Sequence, residues 1–113
     1  MLNSKYRFHS RGGVKYTYQK GKTIRTQKIS LVVNHNERGF QRFAVVVSKK
    51  VLKSAVGRNR IRRRVYEAIR LELPEYTAKN DCIFVIYSQD IKNIPFTELR
   101  ELIHNLLQES LTI

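Results

Sequence analysis

The stretch FQRFAVVVSKKVLKSAVGRNRIRRRVYEAIRLEL, residues 40–73, decides the fold. Over 40–48 it places Phe43, Val45 and Val47 on one face at the two-residue period of a strand. Residues 49–57 (KKVLKSAVG) are a connection. The period then changes. Ile61, Val65, Ala68 and Ile69 recur at helical spacing and predict an amphipathic helix over 58–73, with Ser54 as its earliest start. Leu73 extends the stripe and Pro74 stops it, because proline lacks the N–H a helix interior requires.

The neighbouring segments follow from the same reasoning. Upstream, residues 27–34 (QKISLVVN) read as another strand, carrying Ile29, Leu31 and Val33 on one face. HNERG, 35–39, is the turn. So short a connection predicts an antiparallel hairpin between 27–34 and 40–48. Before it, residues 11–20 suit a short helix with Ser10 as its cap, Val14 and Tyr18 on one face and Gly21 as its end. Gly12 and Gly13 weaken its start. Residues 1–10 read as an irregular basic arm. Downstream, DCIFVIYS (81–88) is apolar on both faces and predicts a buried strand. A last helix begins near Pro95 and buries Leu99, Leu102, Ile103, Leu106 and Leu107. The expected architecture is α+β: a small α/β sandwich of order α-β-β-α-β-α. The helices at 58–73 and 95–109 would cover one sheet face. The other face would stay partly open beside the first helix.

The chain has 113 residues, which suits one domain spanning 1–113. Its net charge of +13 is unevenly placed. Residues 1–66 hold 18 basic residues and one acid, Glu37, whereas 67–113 hold 4 basic residues and 8 acids. A half this basic repels itself unless a polyanion is near, so nucleic acid or an anionic membrane is the expected partner. The single cysteine, Cys82, excludes an internal disulfide, and its apolar neighbours make it a core residue. His9, His35 and His104 share no metal-ligand spacing, although His9 lies in the basic arm and could contact RNA. No apolar run approaches a membrane span, and the N-terminus lacks the apolar core of a secretory signal. A cytoplasmic protein is expected, with no membrane and no small-molecule substrate.

Residues 49–64 hold the densest chemistry: eight of sixteen are basic and none is acidic. Between 58 and 64 the cations are all arginine, whose planar fork suits bidentate phosphate contacts and base stacking. Arg60, Arg63 and Arg64 point away from the apolar stripe. Arg58 and Arg62 lie at its edge, beside the sheet. Asn59 either caps the helix or hydrogen-bonds a phosphate or base. In the first segment Tyr6, Phe8, Tyr16 and Tyr18 alternate with Lys5, Arg7, Arg11, Lys15, Lys20 and Lys22. Rings beside cations hold unpaired nucleotides, at about 1–3 kcal/mol per stacked base. Phe8 is expected in the core; Tyr16 and Tyr18 each suit core or ligand, Tyr18 better as ligand. Catalytic sets are missing: the basic half has one carboxylate, and its glycines form no phosphate loop. A helix-turn-helix reading of 58–73 fails because a strand precedes it.

RFAVVVSKK followed by AVGRNRIRRRVYEAIR resembles the signature of the bacterial ribonuclease P protein subunit. The matching residues are Ser48, Lys49 and Lys50, then Ala55 and Val56, then Arg58, Asn59, Arg60, Arg62 and Arg63. YRFHSRGGVKYTYQKG is similar to that family's first helix. The resemblance implies a left-handed βαβ crossover through the arginine helix, a rare handedness. It implies a catalytic RNA subunit as partner, with which the protein removes the 5′ leader of precursor tRNA. The RNA would carry out the hydrolysis with Mg²⁺, and the protein alone would be inactive. By position, Arg58, Asn59, Arg60 and Arg63 would contact the catalytic RNA. Tyr18, Lys49, Lys50 and Arg62 would lie by the leader. Val14 and Val32 stand where the family carries aromatics, leaving Tyr16 or Tyr18 to supply the ring. The competing reading is a ribosomal or other structural RNA-binding protein without a role in cleavage.

Overall fold

The computed structural model describes residues 2–8 and 11–112. The proposed cap Ser10 and the arm residue His9 lie outside the described residues. The chain runs through α1 (Arg11–Lys20), β1 (Lys22–Arg25), β2 (Ile29–His35), β3 (Arg42–Val47), α2 (Ala55–Glu72), β4 (Asn80–Ile86) and α3 (Phe96–Ser110), with short 3-10 turns at Ser4–Tyr6 and Gln89–Lys92. The α+β sandwich is present, with one sheet of four strands in the order β1-β2-β4-β3.

Two expectations need correction. First, β1 is an additional strand, pairing antiparallel with β2 from Lys22↔Val33 to Arg25↔Ser30. Its only buried side chain is Ile24, so it carries no alternation to detect. Second, β2 and β3 do not form a hairpin. β4 lies between them, antiparallel to β2 (Leu31↔Phe84) and parallel to β3 (Val45↔Phe84). The segment 35–41 wraps around the start of β4 rather than turning back on β2. Asn36 N–H donates to the Lys79 carbonyl at 2.9 Å, and its Nδ2 donates to Asp81 Oδ1 at 2.8 Å. The central place suits β4, whose Asp81, Cys82, Ile83, Phe84 and Ile86 are all buried.

The sheet's two faces differ. Leu31, Phe43, Val45 and Phe84 meet Ile61, Val65 and Ile69 of α2 and Leu99, Ile103 and Leu107 of α3 in the larger core. The opposite face holds a smaller cluster of Phe8, Val32, Ala44 and Ile83, with Val14, Val46 and Val85 partly buried against it. The helix α1 lies on that second face and ends at Gly21. A Cβ there would sit 2.6 Å from the Thr17 carbonyl oxygen and 2.8 Å from that of Val33, so only glycine fits this exit. Toward the first strand residues, Arg42 and Asp81 pair across β3 and β4 through bonds of 2.9 and 2.7 Å. The Arg42 guanidinium also lies 4.5 Å from the Phe8 ring centroid.

Candidate nucleic-acid interface

The helix α1 leaves the edge strand β3 partly uncovered. Residues 7 and 8 run beside that strand, with Phe8 N–H donating to the Phe43 carbonyl at 3.0 Å and Arg7 bridging Phe43 in parallel. A cleft of about 810 Å³ results. Ala44, Val45 and Val46 of β3 line it together with Phe8. Val14, Lys15, Tyr18 and Gln19 come from α1; Asn59, Arg62, Arg63 and Tyr66 come from α2; Arg7 comes from the arm. Four cations therefore face the space and no carboxylate does. No ion pair among the described residues engages any of the four.

The α2 wall owes its placement to the helix start. Ser54 is the cap: its Oγ accepts from Gly57 N–H at 3.0 Å. Helix formation thus begins before Arg58, and Asn59 falls inside the helix, correcting the capping alternative for that residue. Asn59 Oδ1 accepts from Arg62 Nη2 instead. Arg58 donates to the Leu52 and Lys53 carbonyls at 2.9 and 2.7 Å, holding the connection against the helix. Arg60 Nε donates to the Lys92 carbonyl at 3.2 Å. Arg64, expected to point to solvent, is half-buried and donates to the carbonyls of Ile91 and Ile94. Burial, then repulsion by Arg60, lowers its pKa.

The residues singled out from sequence thus occupy three places. Tyr18, Arg62, Asn59 and Arg63 share the cleft, joining members of the leader set to members of the RNA-subunit set. Arg58 and Arg60 remain on α2 outside its lining. Lys49 and Lys50 are exposed just past the end of β3 and do not line the cleft. Tyr16 is 57% exposed and also lies outside it, so Tyr18, 43% exposed, is the α1 ring that faces the space. Burial raises the Tyr18 pKa, and the neighbouring Tyr87 adds to the shift. Phe8 is buried, as expected, yet also contributes to the lining.

Sequence reasoning counted Arg7 and Lys15 among the first segment's nucleotide-holding cations without placing them in a cleft, and missed Gln19 and Tyr66. Lys15 and Gln19 form an i,i+4 row beside Val14 and Tyr18, and Tyr66 lies one turn beyond Arg62, so the helical period carried that signal. Arg7 sits in irregular chain, where no period tells which way its side chain faces. Tyr66 is 8% exposed, and burial raises its pKa; a hydrogen bond to the Val45 backbone and the charges of Arg7 and Arg62 pull the other way.

The lining holds no cysteine, histidine or carboxylate. Cys82 is buried in β4, and burial pushes its thiol up to about 12. Glu72, Glu75 and His104 are close together, but they lie where α2 meets α3. Glu72 is held there by His104 at 2.7 Å and Arg100 at 3.5 Å. No helix among the described residues is long and apolar enough to cross a membrane.

An acid-free, arginine-walled cleft with one accessible ring on an α+β scaffold has the chemistry that suits nucleic-acid phosphates and bases. A family model described as Ribonuclease P matches residues 2–110. The ribonuclease P protein component of Chloroflexus aurantiacus is 41% identical over 92 residues, covering 81% of this chain and 67% of that protein. That of Clostridium kluyveri is 30% identical over 106 residues, covering 93% and 94%. The solved RNase P protein from Thermotoga maritima superposes with a TM-score of 0.82 at 23% identity, covering 91% of this chain and 96% of that one. The Staphylococcus aureus RNase P protein gives 0.78 at 22% identity, covering 93% and 94%. The chain belongs to the ribonuclease P protein family: it is the protein component of a tRNA-processing endoribonuclease and works with an RNA partner in a ribonucleoprotein.

Proposed function

We propose that the cleft holds the single-stranded 5′ leader of precursor tRNA while the outer face of α2 docks on the catalytic RNA. The observation that carries this reading is the lining itself: Arg7, Lys15, Arg62 and Arg63 with no carboxylate, around Tyr18. Phosphates meet arginine forks and an unpaired base meets a tyrosine face. Arg58 and Arg60, outside the cleft, form the docking surface for the RNA subunit, whereas Asn59 and Arg63, grouped with them by the resemblance, line the cleft and serve the leader. Hydrogen bonds to backbone carbonyls fix the direction of Arg58 and Arg60. Tyr18 and Arg62 hold the leader, and Lys49 and Lys50 extend the basic path beyond the end of β3.

Hydrolysis belongs to the RNA in this reading. A protein-held Mg²⁺ calls for several oxygen ligands, carboxylates foremost, and the cleft offers only amide and phenol oxygens. The protein residues do not fit such an ion, and Mg²⁺ is assigned to RNA phosphates. The protein contributes affinity and placement, and acts in the cytoplasm, where its buried free thiol suits a reducing medium.

The test compares binding of the reconstituted protein–RNA complex to precursor and mature tRNA, with and without the protein. The protein should tighten binding of the leader-bearing RNA and leave the mature RNA nearly unchanged. Equal tightening of both would overturn the leader assignment.

A further inference from the structure

We infer that Arg7 of the N-terminal arm is a phosphate-binding residue that completes a phosphate wall with Arg62 and Arg63, so that a bound strand turns its backbone toward α2 and its bases toward α1. The inference rests on the leader reading above and specifies the strand's orientation within that site.

Three observations carry it. Arg7 is fixed at its backbone by the bridge to Phe43 and by its neighbour's hydrogen bond to the same residue, so its side chain starts from a rigid point. Its guanidinium carbon lies 5.9 Å from the Tyr66 ring centroid, in the cleft lining beside Arg62 and Arg63. Its Nε is buried and has no hydrogen-bond partner. A buried donor without an acceptor is costly, and a charged one more so. The Tyr66 ring face offsets only part of that cost, and no carboxylate among the described residues pairs with Arg7. An anion entering the cleft would supply the missing charge.

The two walls then differ in kind. On the α2 side Tyr66 is nearly buried and faces Arg7, so it offers no free ring for a base. On the α1 side Tyr18 is 43% exposed and Val14 provides apolar surface. The α1 wall carries one cation, Lys15, against three arginines on the other side, so the balance of charge makes the α2 side the phosphate side and the Tyr18 side the base side.

The test uses the reconstituted holoenzyme and precursor tRNAs whose leaders carry either one neutral methylphosphonate linkage or one abasic nucleotide, scanned along the leader. Arg7→Ala should weaken binding of the native leader about tenfold. At one or two linkages the methylphosphonate should cost the wild type about as much and add nothing to Arg7→Ala. Arg7→Lys, which keeps charge but not the fork, should fall between them and guards against a folding artefact. Tyr18→Leu should couple to abasic positions and to no phosphonate. If Arg7→Ala lost the same factor on every phosphonate substrate, or lost nothing, the assignment of Arg7 would be overturned while the leader reading stood. If wild-type holoenzyme showed no leader dependence, the leader reading itself would fall, and this inference with it.

Discussion

Replacing Asp81 with alanine should be among the most damaging single changes in this protein. Asp81 is 6% exposed and receives both Nε and Nη2 of Arg42, at 2.9 and 2.7 Å, and Asn36 Nδ2 at 2.8 Å. Its partner side chain is only 15% exposed. Alanine would leave a guanidinium with little water and no counter-charge. Breaking a buried pair from one side costs about 3–5 kcal/mol, and the residual exposure of Arg42 puts the expected loss near the lower end, about 3 kcal/mol. A small domain of this kind has about 5–15 kcal/mol in total, so the variant should be markedly less stable. The apolar double replacement Arg42→Met, Asp81→Leu removes both charges and should recover most of the loss. Urea unfolding followed by circular dichroism, compared at equal slope, measures all three proteins. If Asp81→Ala cost less than about 1 kcal/mol, or if the double variant were no better than the single, the buried ion pair would not carry the energy assigned to it.

Two further outcomes are expected. Glu72 hydrogen-bonds His104 and its charge adds to the effect, so the imidazole pKa is raised above its ordinary value. Its contribution to stability is therefore fully present below the unfolded-state value of about 6.5 and is lost as pH rises through the folded value. An NMR titration should show the raised midpoint in the wild type and its fall in Glu72→Gln; a midpoint at or below the ordinary value would refute the contact. Arg63 is exposed and makes no ion pair among the described residues. Arg63→Ala should lower the salt slope of RNA binding by about one unit, one phosphate's worth, and an unchanged slope would place Arg63 off the interface.

The parts legible in the sequence were those with a long period. The Ile61–Ile69 stripe located α2, Ser54 marked its earliest start, and the Leu99–Leu107 pattern located α3. The double-faced apolar run at 81–88 announced a buried strand, but not that it would separate the two strands preceding α2. Proximity along the chain suggested a hairpin. In the observed order Asn36 and Arg42 both reach Asp81, contacts 45 and 39 residues apart that no local pattern encodes. β1 went unseen because one inward residue, Ile24, makes no alternation. The cleft was half legible for the same reason. Tyr18 and Arg62 belong to helices whose faces follow from spacing. Arg7 belongs to an irregular arm, and its position comes from backbone hydrogen bonding to β3.

The charge asymmetry also has a structural logic. The acids of the second half are not spread against the basic half as general neutralisation. Asp81 pairs with Arg42, Glu67 with Arg70, and Glu72 with Arg100 and His104. The first joins β3 to β4, the second lies along α2, and the last joins α2 to α3. None reaches the arginines of α2 between 58 and 64 or the four cations of the cleft. A fold selected for its own stability alone would gain by neutralising those arginines, since like charges at i,i+4, such as Arg58 and Arg62, destabilise a helix by a few tenths of a kcal/mol per pair. Here the repulsion is left in place, and backbone carbonyls rather than carboxylates orient Arg58, Arg60 and Arg64. A carbonyl fixes a guanidinium's direction without cancelling its charge. The surface is thus preorganised for an external polyanion, the part that the proposed function gives to RNA phosphate.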